Sequence, residues 1–235
     1  MTTSKQQVCP ICYSTEFRDF NRREQACCSG CGSMERGRLA WVILSRLGQL
    51  KRGTRMLNFA PEKFMLTIGK RIIGSKYEAA DFSPELFGIA SSEIRKVDMC
   101  HDLASLDQGS YDVIMHNHVL EHVPCHVPIV LKQLNNLVRP GGYHIFSIPI
   151  FPSRLTEEDL SPDLSAAEKS RRFGQNDHVR IFGADYILMF DEAGITSGFV
   201  DVHDIASDEE MSLWGIPPDA LRTASPHRVF VWKNS

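Results

Sequence analysis

Apolar positions set two rhythms along this chain. Leu39, Val42, Ile43, Leu47 and Leu50 fall on one helical face, which predicts a helix over Met34–Leu50 with Ser33 as its N-cap and Gly53 beyond its end. Short apolar runs then alternate with helical spacing. Arg55–Phe59 reads as a first strand, with Pro61 suited to the first turn of the next helix. Lys76–Ala80 is a second strand ending at Asp81, and a helix near Pro84–Ser92 leads to a third strand at Ile94–Asp98. Tyr111–Asn117 is the fourth, Pro124–Val138 an amphipathic helix, and Pro140-Gly141-Gly142 turns the chain into a fifth strand, YHIFSIP. Residues 151–182 break the rhythm with a polar insertion, after which GADYILMFDEAG returns to helical spacing. FVDVHD and HRVFVWKN complete seven strands as an antiparallel closing pair. The expectation is an α/β fold with a mostly parallel sheet, its ligand lying beyond the strands' carboxyl ends.

Composition narrows the partners. A net charge of −3 over 235 residues offers no broad positive field for a phosphate backbone, although Arg22, Arg23, Arg36 and Arg38 crowd the N-terminal region. The expected partner is a small molecule, with no nucleic acid and no membrane: no apolar run approaches the roughly 20 residues that cross a bilayer. The first ten residues lack an apolar leader core. A cytoplasmic location follows as the expectation, and there clustered cysteines point to metal rather than to disulfides.

Cys9 and Cys12 form one Cys-x-x-Cys pair and Cys28 and Cys31 another, 15 residues apart. Two such knuckles complete a closed tetrahedral zinc site, which supplies folding energy that so short a segment cannot draw from a core. The predicted organisation is a zinc ribbon at 1–33, a linking helix at 34–53 and an α/β domain at 54–235 whose insertion covers the substrate side. Reactive or redox thiols are the alternative for the cluster, and Cys27 competes with Cys28 as a ligand. Cys100 and Cys125 stand isolated, as structural or redox thiols.

The strand ends carry candidate nucleoside contacts. Asp81, some 20 residues past the first strand, suits a pair of ribose hydroxyls. Asp98 suits an adenine amino group, with Asp102 competing for that role. DFSPEL, YDVIMHNHVLEHV and LVRPGGYHIFSIP resemble successive motifs of the class I SAM-dependent methyltransferases, over about residues 54–150. With CGSMERGR, LNFAPE and FGQNDHVRIFG added, the string resembles a poorly characterised bacterial branch bearing an N-terminal zinc ribbon. The resemblance implies a Rossmann-like sheet, S-adenosylmethionine (SAM) as cofactor, and Phe59, Ala60, Glu62, Asp81, Phe82, Asp98, Met99, Asn117 and His118 around it. The first loop departs from the family pattern. Asn58 replaces its acidic residue, and Ala60, Glu62 and Phe64 replace its glycines, which leaves Glu62 to meet the cofactor's ammonium group and Phe59 or Phe64 to shield its sulfonium.

Methyl transfer needs an aligned nucleophile and, at oxygen or nitrogen, a proton acceptor. One histidine-rich stretch, His116, His118, Glu121 and His122, offers His118 as the base; it also spells a metal pattern, or a purely structural hydrogen-bonding loop. A second, Gln175, Asp177, His178 and Arg180, offers His178 as a base, Asp177 to orient a histidine elsewhere, and Arg180 to grip a carboxylate or phosphate. Arg36 and Arg38 reach the same cleft if the first helix packs over it. The function expected is methyl transfer from SAM to a small polar acceptor, such as a sugar or natural-product intermediate. A SAM-consuming cyclase or lyase releasing methylthioadenosine, and a zinc-ribbon RNA methyltransferase or nucleic-acid-binding protein, are the alternatives.

Overall fold

A computed structural model describes residues 6–217, 220 and 224–235. The N-terminal module is a hairpin of β1 (Phe17–Phe20) and β2 (Arg23–Cys28), with one cysteine pair before it and the other at its end. Helix α1 (Glu35–Arg46) follows. Its N-cap is Met34, without a side-chain hydrogen bond, rather than Ser33. The Ser33 hydroxyl faces sulfur instead, 3.1 Å from Cys31 Sγ and 3.6 Å from Cys9 Sγ.

The sheet then builds in the predicted order: β3 (Met56–Phe59), β4 (Tyr77–Asp81), β5 (Ile94–Lys96), β6 (Tyr111–Asn117) and β7 (Val138–Ser147). A π-helical turn at Met65–Gly69 running into α2 (Lys70–Ile73) fills the first crossover, and α3 (Val127–Leu137) joins β6 to β7. The insertion contributes β8 (Ile150–Phe151), β9 (Glu157–Glu158), α4 (Ala166–Phe173) and β10 (Arg180–Gly183), with β10 central in a small separate sheet. Helices α5 (Ile187–Ala193) and α6 (Asp208–Leu213) precede β11 (Val229–Lys233).

The main sheet runs β11-β7-β6-β3-β4-β5, with β11 alone antiparallel. Among the described residues it has six strands, where seven were expected. The Asp201 carboxylate accepts the His203 amide at 2.9 Å and opens a 3-10 turn at Val202–Asp204. That local hydrogen bond competes with strand pairing, and only a single bridge from Phe199 to Trp232 remains.

Alternation along the strands feeds two cores. Met56, Val113, Ile145 and Val231 face α1, whose Leu39, Ile43 and Leu44 are fully buried. Leu57, Ile114, Phe146 and Phe230 face the other layer, with Leu131 and Leu134 of α3 and Phe190 of α5. Each such side chain contributes about 1.5–3 kcal/mol, so α1 packs into the core on this face of the sheet. Arg38 on α1 is fully buried. It donates to the carbonyls of Ala26, Ser33, Trp214 and Gly215, stitching the hairpin to the segment after α6. Among the described residues no helix is long and apolar enough to cross a membrane.

Candidate functional site

A cavity of about 530 Å³ opens at the carboxyl ends of β3, β4, β5 and β6. Phe59, Ala60, Asp81, Phe82, Asp98, Met99 and His118 all line it. Ala60, which stands where a glycine was expected, has φ +45°. The loop thus keeps a left-handed backbone despite its side chain, at a cost of roughly 1–2 kcal/mol. The Asp81 carboxylate takes the Ser83 amide at 2.7 Å, and burial pushes its pKa above the ordinary carboxylate range. Asp98 accepts from the Cys100 amide at 2.8 Å and lies 3.0 Å from His101 Nδ1. Its rival Asp102 is spent on the turn, accepting the Asp98 amide at 2.8 Å.

Glu62 and Asn117 are not on the cavity wall. Ser147 Oγ donates to Asn117 Oδ1 at 2.9 Å, and Asn117 Nδ2 donates to Glu62 Oε2 at 3.1 Å. Arg36 approaches the Glu62 carboxylate at 3.7 Å. Glu62 therefore braces the loop from behind instead of facing a cofactor ammonium group. Gly37 permits the approach of α1, because a Cβ there would lie 2.9 Å from the Phe64 ring and 3.1 Å from Glu62 Oε2. Of the arginines expected to reach the cleft, Arg36 approaches Glu62 of the first loop, whereas Arg38 is buried in the stitch.

The loop after β6 forms the far wall. His118 has φ +50°, and its Nε2 lies 3.2 Å from the Pro226 carbonyl, which makes that nitrogen the N–H donor. Burial, aided by Arg36, holds its pKa well below the ordinary value. Nε2 is thus committed to the Pro226 carbonyl, and Nδ1 lies 3.7 Å from Glu121 Oε1. His122 also lines the cavity, and its Nδ1 pairs with Asp177 Oδ2 at 3.1 Å. Asp177 thus orients a histidine from another segment, as its residue type suggested, but that histidine is His122. The sequence gives no signal for the pairing, which joins loops 55 positions apart.

His178 is buried behind the wall, with Nδ1 3.1 Å from the Phe173 carbonyl. Its ring meets that of His122 edge-on, at 4.5 Å between centroids. The Arg180 guanidinium is fully buried and has no route to a substrate anion. It donates to the carbonyls of Leu120, Val123 and Cys125 and to Glu158 Oε2, so its expected substrate-gripping role gives way to fixing the loop after β6. His116 is a core residue on β6, stacked on Phe146 at 5.2 Å.

A family profile described as "Methyltransferase domain" matches residues 36–196. The chain belongs to this methyltransferase family. The match upholds the resemblance of residues 54–150 to the class I SAM-dependent enzymes. Among solved structures, a SAM-dependent methyltransferase from Archaeoglobus fulgidus is similar at 14% identity, with 85% of this chain and 96% of that one covered and a TM-score of 0.47. A "possible exported protein" from Bordetella parapertussis aligns at 15% identity over 85% of this chain and 66% of its own, with a TM-score of 0.48. The trans-methyltransferase CalH, complexed with SAH, aligns at 20% identity over 70% of this chain and 48% of its own, with a TM-score of 0.39. The chain therefore spans just under two thirds of the Bordetella protein and about half of CalH. No curated protein matches the chain.

Near the N-terminus, the four predicted sulfurs converge. Cys9 Sγ lies 3.7 Å from Cys31 Sγ, Cys12 Sγ lies 3.5 Å from Cys28 Sγ, and all four fall within 4.8 Å of one another. A tetrahedron of zinc–sulfur bonds of about 2.3 Å has sulfur–sulfur edges of about 3.8 Å, so the cluster fits that ion. Cys27 turns away, its sulfur 3.8 Å from the Cys28 carbonyl in a separate apolar cluster with Ala26 and Met34. Cys100 and Cys125 are not isolated: a disulfide joins them, with Cα atoms 5.9 Å apart, and Cys100 lines the cavity.

Proposed function

We propose that this methyltransferase binds SAM in the cavity at the strand ends and transfers its methyl group to a small polar acceptor. The observation that carries this reading is the cavity wall itself, in which Ala60, Asp81, Asp98, Met99 and His118 come together from four strand ends. Asp81 accepts from the ribose hydroxyls and Asp98 from the adenine amino group. Met99 and Phe82 flank the base, and Phe59, Ala60 and His118 lie toward the sulfonium. The Glu62–Asn117 bracket holds the first loop without touching the cofactor.

His122, oriented by Asp177, stands in the cavity wall on the acceptor side. With Nδ1 held as the donor to Asp177, Nε2 carries the lone pair. The insertion closes this side, since the Val179 amide donates to the Glu121 carbonyl at 3.0 Å. The four N-terminal thiolates hold a structural Zn²⁺ with no open position for chemistry, and two of the nearby arginines are engaged within the protein rather than offered to nucleic acid: Arg23 on Glu35 at 2.8 Å, and Arg38 in the buried stitch.

Incubation with SAM and cell extract tests the reading. Mass spectrometry is expected to show a product about 14 daltons heavier and S-adenosylhomocysteine (SAH), with both signals falling at least about tenfold in the His122→Ala protein. Release of methylthioadenosine in place of SAH would instead establish cyclisation or lysis and end the methyl-transfer reading.

A further inference from the structure

The loop after β6 and the segment leading into β10 bring Glu121, His122 and His178 together. One ligand-type atom from each lies within 4.8 Å of the others. Two of the three are deeply buried, Glu121 at 1% exposure and His178 at 6%. Each leaves one polar atom without a hydrogen-bond partner, Glu121 Oε2 and His178 Nε2. An unsatisfied buried group costs about 1–3 kcal/mol, and here two such groups belong to one cluster, which a shared cation would satisfy together.

The remaining ring nitrogens are already committed. His178 Nδ1 faces the Phe173 carbonyl at 3.1 Å, and His122 Nδ1 faces Asp177 at 3.1 Å. Imidazoles that bind metal through one nitrogen are held in this way through the other, by a carbonyl or a carboxylate, which fixes the tautomer. The two segments are also locked together independently of any ion, through Arg180 on the carbonyls of Leu120, Val123 and Cys125.

We propose that Glu121, His122 and His178 bind a divalent transition-metal ion in the wall of the cavity. Two imidazoles and one carboxylate suit zinc, iron or cobalt rather than magnesium or calcium, which take all-oxygen shells. Three protein ligands leave coordination positions open, the arrangement of catalytic rather than structural sites. Because His122 lines the cavity, an open position is within reach of the acceptor. The ion's role there, and only its role, rests on the methyl-transfer reading. A hydroxyl bound to the ion gives its proton to solvent, its oxygen forms the new bond to the methyl carbon, and the carbon–sulfur bond of SAM breaks with its electron pair passing to sulfur as SAH leaves.

The test uses the full chain with zinc already in the ribbon, titrated with cobalt(II) by calorimetry and visible absorption. The wild type is expected to take up one cobalt beyond the ribbon zinc, with the weak bands of a nitrogen–oxygen site and no sulfur charge-transfer band. Glu121→Gln, which keeps the shape, and His122→Ala, at a half-exposed position, are each expected to weaken that uptake at least about tenfold. Absence of the second cobalt, or equal uptake in the wild type and both variants, would overturn the proposal. SAH binding is read separately on the same samples, so cobalt uptake without SAH binding would sink the methyl-transfer reading and leave the ion site standing.

Discussion

Replacing Arg180 with Met separates two roles for a buried guanidinium. Arg180 is fully buried and serves the carbonyls of Leu120, Val123 and Cys125, with an additional ion pair to Glu158 at 2.7 Å. Met keeps most of the volume and removes every donor. Losing each carbonyl's partner costs about 1 kcal/mol net, and the half-exposed Glu158 adds about 0–1 kcal/mol, giving about 3–4 kcal/mol in all. A domain of this size loses about 2–4 °C of melting temperature per kcal/mol, so calorimetry should show Arg180→Met melting about 10 °C lower. The freed loop carries Val119, His122, Val123 and Pro124 of the cavity wall, so SAH affinity should fall with it. A variant melting within about 2 °C of wild type, with only its KM for the acceptor raised, would refute the anchoring role and restore the substrate grip.

Three further outcomes follow from the same geometry. Cys28→Ser should remove the ribbon zinc measured by elemental analysis, whereas Cys27→Ser should retain it, because only the Cys28 sulfur lies in the cluster. Burial lowers the pKa of His116 from 6.5 to about 3, so between those values the unfolded chain binds the extra proton and stability falls as pH falls. Urea unfolding at pH 5 should thus show about 2 kcal/mol less stability than at pH 7 for this residue alone. His144, lowered in the same direction by burial and by His116, deepens the loss, and His116→Phe should flatten the slope. Gly37→Ala should cost about 1–3 kcal/mol by overpacking and should weaken SAH binding, since its Cβ would push Phe64 and Glu62 of the first loop.

Strand order, the carboxyl-end cavity and the cysteine tetrad were legible because each rests on local spacing. Met56 and Leu57 alternate between the two cores as a period of two requires, and the knuckles need only two residues between sulfurs. What was not legible depends on contacts distant in sequence. Ser33 has the right type for a helix cap, but its hydroxyl is drawn to the cysteine sulfurs. FVDVHD has strand composition, yet Asp201 turns it locally. Arg180 looks like an anion clamp until the carbonyls 55 to 60 positions earlier in the chain are seen to surround it. His122 gained its place in the site only through Asp177, from an insertion whose position over the loop no spacing rule supplies. Ala60 shows the converse: the glycine was absent, but its left-handed conformation remained.

The claim that the strand-end cavity is a SAM site is tested most directly by calorimetric titration of SAH into the wild type and Asp81→Asn. Asp81 lines the cavity and keeps one oxygen on the Ser83 amide, a contact that Asn preserves while losing the charged acceptor. Charge-assisted hydrogen bonds to the ribose are worth about 1.5–3 kcal/mol, so the predicted result is saturable binding to the wild type that weakens by about 10- to 150-fold in the variant. Equal affinity in the two proteins, or no binding to either, would contradict it.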